Sequence, residues 1–401
     1  MKFTTLNRFA IILGVVIMII SCPKSPTDPE DIIEEHSVEI VVTVFPNIGT
    51  NATRFQPDVF VVADSDTVQI GEDYLIRCDY DGDGVADTDW LDSIPMTTNF
   101  TTFGKHTLGF EIQDTSGVID SAYCDVYVQR LVQITPTNTF GYVEGNIDWS
   151  RDGTNRVAYD RMGEDKGSFR AIWVIEYPGG VPEQVTFNPD TTEYYGHQFP
   201  EWSPSGDRIS FTDDALGIVD LSTNDIEIID ENGWGRVQSW SPNSRWLISW
   251  SVVDNKTVTV VHDMHDGSFE LLLDDLYMIA WSPDGSKIAT AKFGDWENST
   301  FQIIDFPSRS VVEEYIIPSH GSKIEWSPNG KWISLGFHGM KRFGYLFNYE
   351  NKTTYTYKPD GLRSCWFPSW SEDGSLLAFE GRDETDDVWL SIWAIEFPDE
   401  L

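Results

Sequence analysis

The sequence predicts an all-β protein, a β-sandwich followed by a six-bladed β-propeller. Three observations carry this: apolar residues alternate in the strand period from Val38 onward, a Trp-Ser-Pro-Asx-Gly pattern recurs six times after residue 130, and turn residues separate the short apolar runs. Composition permits it, since 401 residues at 40% hydrophobic and 13% aromatic hold core material for two or more folded units. Charge excludes one class of partner. With 27 Lys+Arg against 65 Asp+Glu the net charge is −38, and such a surface repels phosphate backbones, so no nucleic-acid partner is expected.

The chain opens with Lys2 and Arg8, no acid before Ser21, and an apolar run from Phe9 to Ile20. As a helix that run spans roughly 18 Å, short of a bilayer core of about 30 Å, so residues 1–21 read as a signal peptide. The run ends in Ile19-Ile20-Ser21-Cys22, which resembles the bacterial lipobox. The resemblance implies cleavage ahead of Cys22, a diacylglyceryl group on its sulfur, and an exported, lipid-anchored protein of the cell envelope, periplasmic or on the outer surface. An ordinary secretory signal with a chance Cys is the alternative. Residues 22–37 place Pro23, Pro26 and Pro29 among Asp28, Glu30, Asp31, Glu34 and Glu35, too polar and Pro-rich to pack, and read as an extended tether.

Residues 38–130 carry the sandwich. Val38, Ile40, Val42 and Val44 share one side of the first run, and further runs include Phe60-Val61-Val62, Tyr74 to Tyr80, Leu108 to Ile112 and Ala122 to Val128. The stretch Ile76-Arg77-Cys78-Asp79-Tyr80-Asp81-Gly82-Asp83-Gly84, with Phe110-Glu111-Ile112-Gln113-Asp114 and the turn Asp114-Thr115-Ser116-Gly117, resembles the PKD family of immunoglobulin-like domains, with Cys78 where that family has Trp. The resemblance implies a spacer or a surface for protein or glycan contact. Spacing alone leaves a Cys78–Cys124 disulfide open; the resemblance puts the two on strands flanking a third and argues against it, and Cys365 has no evident mate. Asp79, Asp81, Asp83 and Gly84 fit the D-x-D-x-D-G opening of a calcium loop, in which alternate carboxylates converge on a hard cation, and Asp87 and Asp89 add oxygens. Trp90 stands where an EF-hand has its bidentate Glu and strands surround the turn, so this is no EF-hand; a calcium site and a solvated Asp/Gly hairpin are the two readings left open.

Residues 131–401 carry the repeat: Trp149-Ser150-Arg151-Asp152-Gly153, Trp202-Ser203-Pro204-Ser205-Gly206, Trp240-Ser241-Pro242-Asn243-Ser244, Trp281-Ser282-Pro283-Asp284-Gly285, Trp326-Ser327-Pro328-Asn329-Gly330 and Trp370-Ser371-Glu372-Asp373-Gly374. A mean spacing of about 44 residues is that of a propeller blade. The pattern spells a type I turn: Ser at the first corner, Pro with its φ already set at the second, Asp or Asn at the third, Gly at the fourth; the terminal copies lack the Pro. This signature resembles the TolB-type, WD-like propeller family, which implies a fold rather than an activity. The last blade stops after Trp389 to Phe397, so its fourth strand is missing, and Leu131-Val132-Gln133-Ile134-Thr135 is expected to supply it and close the ring.

No G-x-S-x-G elbow, H-E-x-x-H helix or phosphate-binding Gly loop occurs in the chain, and His262 and His265 fall in a polar hairpin with Asp263 and Asp266. Instead, Tyr142, then Tyr194, Tyr195 and His197, then Trp234, Tyr277, His320, and finally Arg363 and Trp366 sit four to eight residues ahead of the repeat Trp. They are expected to ring one mouth of the channel, where aromatics with a polar handle suit peptide or sugar contact, although each alone could pack on a blade edge. The preferred function is a lipid-anchored binding or scaffold protein that holds an envelope protein or glycan. The alternative resembles propeller oligogalacturonate lyases, for whose metal centre His197 and His320 are thin ligands.

Overall fold

The computed structural model describes residues 10–12, 15–17, 38–45, 48–50, 56–63, 66–68, 70, 74–93, 100, 102–114, 117–135, 144–162, 170–187, 196–273, 278–295, 298–306, 308–317, 321–337, 344–357, 362, 365–382 and 390–397. Every regular element among them is a strand, so none is a helix long and apolar enough to cross a membrane. Within the leader, Ala10–Ile12 and Val15–Ile17 pair as a short antiparallel hairpin instead of the helix expected there, in keeping with the strand preference of their β-branched residues. Cys22 lies outside the described residues.

The chain divides into two compact units, residues 1–47 with 54–128, and residues 48–53 with 129–401. In the first, Val38–Phe45, Gln56–Ala63 and Asp66–Val68 form one antiparallel sheet, and Gly104–Asp114 pairs with both Leu75–Asp79 and Gly117–Gln129. Ile40 and Val59 of the first set share one buried core with Ile76, Cys78, Leu108, Phe110, Ile112, Val126 and Val128 of the second. Strand alternation sends every second side chain inward, and two inward faces cover each other. Cys78 lies opposite Phe110 and Cys124 opposite Leu108, so the two thiols sit on strands either side of Gly104–Asp114, and no disulfide joins them. Two strand spacings, about 9.6 Å, exceed what a disulfide spans.

The second unit is of propeller type, and the strand pairs within each of its six blades are antiparallel. Its six sheets begin with the strands Glu144–Trp149, Gln198–Trp202, Gly233–Trp240, Met278–Trp281, Gly321–Trp326 and Trp366–Trp370. Each of these touches the next, and the sixth touches the first, which closes a ring. Each then pairs outward in sequence, for example through Arg208–Thr212, Leu216–Asp220 and Ile226–Asp230 in the second sheet. The sixth is the exception. Its outer strand is Leu131–Gln133, paired antiparallel through Leu131 with Ile395, Val132 with Ala394 and Gln133 with Trp393. The closure expected from the orphan apolar run is present. Not anticipated from sequence is Ile48–Thr50, which lies parallel to the outer strand of the fifth sheet, through Tyr357 and Ile48.

The Trp-Ser-Pro turns have a concrete chemistry. In the second to sixth copies the fourth residue donates its N–H to the Ser carbonyl at 2.8–2.9 Å, closing the turn. In all six, the Ser hydroxyl also accepts the backbone N–H of the residue that starts the next strand, six on in the first copy and five on in the others, at 2.8–3.1 Å. The Asx at the third corner accepts the same hydroxyl in four copies, Asn243, Asp284, Asn329 and Asp373, at 2.6–2.7 Å. The hydroxyl of Ser282, together with the Ser286 N–H, holds the Asp284 carboxyl down at about 2.

Candidate functional site: the channel of the ring

The residue just before each repeat Trp is Asp148, Glu201, Ser239, Ala280, Glu325 or Ser369. Four of these side chains accept the backbone N–H of the next sheet's Trp: Ser369 from Trp149 at 2.9 Å, Asp148 from Trp202 at 2.7 Å, Ser239 from Trp281 at 3.2 Å and Glu325 from Trp370 at 3.4 Å. They are clasps between sheets. A β-bulge makes them possible, because the register shifts just ahead of the Trp in every first strand except Met278–Trp281. Asn146, Phe199 and Phe367, each three residues before its Trp, take left-handed φ of 46°, 54° and 48° at these bulges. For two phenylalanines this is strained backbone held by its surroundings.

Inside the ring a buried ammonium is caged by acids. Lys323 Nζ lies 2.7 Å from Glu201 Oε1, 3.2 Å from Asp148 Oδ1 and 3.0 Å from the Ile147 carbonyl, with Glu325 Oε2 at 3.8 Å. Arg151 pairs with the other oxygen of Glu325. Burial opposes the charge on Lys323, but Asp148, Glu201 and Glu325 outweigh it and hold the ammonium above the usual lysine range. Burial, with Asp148 adding repulsion, raises the Glu201 carboxyl well above the usual carboxylate range despite Lys323. These groups line a cavity of about 420 Å³ together with Trp202, Trp240, Trp281 and Trp326, rimmed by Pro204, Pro242, Pro283 and Pro328. The cavity thus lies at the end of the channel where the turns are.

The other end, where the first strands begin, is where the sequence places its aromatic ring. Tyr142, Tyr194, Tyr195, Tyr277, His320 and Arg363 lie outside the described residues. His197 is not presented at a rim. It is buried, 8% exposed, with its ring 4.4 Å from that of Phe211, and desolvation lowers its pKa to about 4. Its backbone N–H bonds the Arg170 carbonyl, which tucks it behind the first sheet. Trp234 is 43% exposed and rests on Trp250 at 5.4 Å, while Trp366 is half-buried in its strand opposite Glu380. Near them, buried Asp160 pairs with Arg170 and accepts from the Asn146 side chain and, at 3.2 Å, from the Phe199 N–H; burial raises its carboxyl even so.

In the first unit Asp79, Asp81 and Asp87 each bring one carboxylate oxygen within 4.8 Å of the others. Asp79 is buried and accepts the N–H of Gly82 at 2.7 Å and of Gly84 at 2.9 Å, while Asp87 accepts that of Tyr80 at 2.6 Å. Asp83 turns instead to the Val85 N–H at 2.7 Å, and neither it nor exposed Asp89 joins the cluster. The grouping is therefore smaller than the five acids expected. His262 is likewise no metal group in solvent: it is buried, its Nε2 2.9 Å from the Ser249 hydroxyl.

Sequence reasoning missed the caged Lys323 and the clasps. Their signal was present: aligning the six copies one position further back reads Asp, Glu, Ser, Ala, Glu, Ser, all polar or small where a buried strand should be apolar. No family model matches the chain, and no curated protein matches its sequence. Among solved structures it is similar to an oligogalacturonate lyase in complex with manganese, at 13% identity over 68% of this chain and 94% of that one, TM-score 0.49. It is similar to the oligogalacturonate lyase of Vibrio parahaemolyticus at 14% identity, 68% and 98% coverage and TM-score 0.47. TolB of Acinetobacter baumannii is similar at 15% identity, 74% and 77% coverage and TM-score 0.47.

Proposed function

We propose a lipid-anchored binding or scaffold protein of the bacterial cell envelope, made of a PKD-like sandwich over residues 38–130 and a six-bladed, TolB-like propeller over 131–401, that holds a protein or glycan at the strand-start end of the propeller. The observation that supports this best is Trp234. A large indole 43% exposed yet braced against Trp250 is an anchor already ordered before a partner arrives, and such aromatic anchors dominate interface energies. Trp366 belongs to the same recognition end, and the spacing of the repeat assigns Tyr142, Tyr195, Tyr277, His320 and Arg363 to it as well, whereas His197 supports it from within the packed interior. Cys22 carries the lipid, and the turn takes calcium through Asp79, Asp81 and Asp87.

Anchoring is tested by labelled fatty acid, which enters the wild type and not Cys22→Ser; equal labelling contradicts it. Binding as against glycan cleavage is tested by metal analysis of the purified protein together with incubation on oligogalacturonate. A stoichiometric transition metal with release of unsaturated product overturns the binding reading.

A further inference from the structure

The cavity at the turn end of the channel has acceptors that the protein leaves unanswered. Three hydrogens leave the Lys323 ammonium, and three are used, on the Ile147 carbonyl, Asp148 and Glu201. Nothing remains for Glu325 Oε2, 3.8 Å away, and that oxygen has no hydrogen-bond partner although Glu325 is 7% exposed. Gln238, 4% exposed, is in the same position. Its Nε2 donates to the Phe199 carbonyl at 3.0 Å, which fixes the amide the right way round and leaves Oε1 as a buried acceptor with no partner. Both side chains line the cavity, and a buried acceptor without a donor is costly.

Asp148, Glu201 and Glu325 face Lys323 and Arg151, so the lining holds three acidic side chains against two basic ones. A bare metal ion is a poor fit, because among the described residues only Asp79, Asp81 and Asp87 bring three carboxylate oxygens within 4.8 Å. A group with several N–H donors, one positive charge and an apolar stem matches spaced acceptors in a cavity walled by Trp202, Trp240, Trp281 and Trp326. We propose that this cavity, at the opposite end of the channel from the recognition end above, binds a protonated primary amine, held by Gln238 Oε1 and Glu325 Oε2 with its stem among the indoles.

The test uses the full chain and its own tryptophans. Ac-Gly-Lys-Gly-NH2 is titrated while Trp fluorescence is read, alongside the same peptide with norleucine for lysine, and spermidine. The expected result is a saturable change with the lysine peptide and none with the norleucine peptide, weakened at least tenfold by Gln238→Leu and by Glu325→Gln. Because Glu325 also clasps Trp370, Gln238→Leu decides the matter alone if Glu325→Gln does not fold. Response to spermidine alone assigns the site to free polyamines instead of a protein side chain, still as an amine site. An equal response to norleucine, no response to either amine, or unchanged binding by Gln238→Leu overturns the proposal.

Discussion

Six indoles in equivalent places do not have equivalent hydrogen bonds: Trp149 Nε1–H donates to Asn155 at 2.9 Å, and for the other five one residue of the preceding sheet decides which are satisfied. Trp240 Nε1–H donates to Ser210 at 3.0 Å and Trp370 Nε1–H to Ser334 at 3.1 Å, each Ser lying in the second strand of the preceding sheet. Where that strand carries Ala158, Ile248 or Ala289 instead, the Nε1–H of Trp202, Trp281 or Trp326 is buried without a partner. Ser334→Ala should therefore lower stability by about 1–2 kcal/mol, and Ala289→Ser should raise it by up to about 1 kcal/mol, read from urea unfolding midpoints. No change in either would mean that water already serves these groups. A second effect follows from His197, whose pKa falls from 6.5 to about 4 on folding because burial disfavours the charged ring. Below 6.5 the unfolded chain binds the proton and the native one does not, so this stability is complete above 6.5 and is lost as pH falls toward 4. His197→Phe should flatten the unfolding free energy between pH 7 and pH 4.5 relative to wild type; parallel curves would contradict a buried neutral imidazole.

Strands and turns were legible because their rules are local. Ser, Pro, Asx and Gly each meet a requirement of one four-residue turn, so five letters announce it, and the missing fourth strand of the last sheet could be found by counting. Leu131–Gln133 is held by its ladder to residues 393–395, by the Ile134 N–H on the Ile392 carbonyl at 2.8 Å, and by the Ile392 N–H on Thr135 Oγ1 at 3.2 Å. Deleting residues 131–135 should expose the edge of Leu390–Glu396 and give an aggregating or strongly destabilised protein by light scattering and thermal melts. Unchanged melting would place closure elsewhere. The bulges were not legible. A left-handed Phe199 or Phe367 follows from how six strands crowd one axis, a requirement that no local window of sequence contains. For the same reason His197 reads as a rim residue on spacing alone and is in fact packed on Phe211 from its own sheet.

In a chain of net charge −38, Lys323 is a cation placed inside the ring, where it joins the first, second and fifth sheets through Asp148, Glu201 and its own strand. Lys323→Met should be strongly destabilising, about 3 kcal/mol or more, because it strands carboxylates that burial already raises, and the loss should be smaller at pH 5 than at pH 8 as those carboxyls take up protons. In the other unit, millimolar calcium should raise the melting temperature of the wild type and not of Asp81→Ala. Function is the least legible level, since a propeller hosts many activities and the residues that distinguish them sit on loops rather than in the repeat. The most direct measurement is co-purification from the cell envelope with Trp234→Ala and Trp366→Ala combined. Recovered partner should fall about 30-fold, the equivalent of about 2 kcal/mol, with the melting temperature unchanged. Undiminished recovery by a folded double variant would contradict recognition at the strand-start end of the propeller.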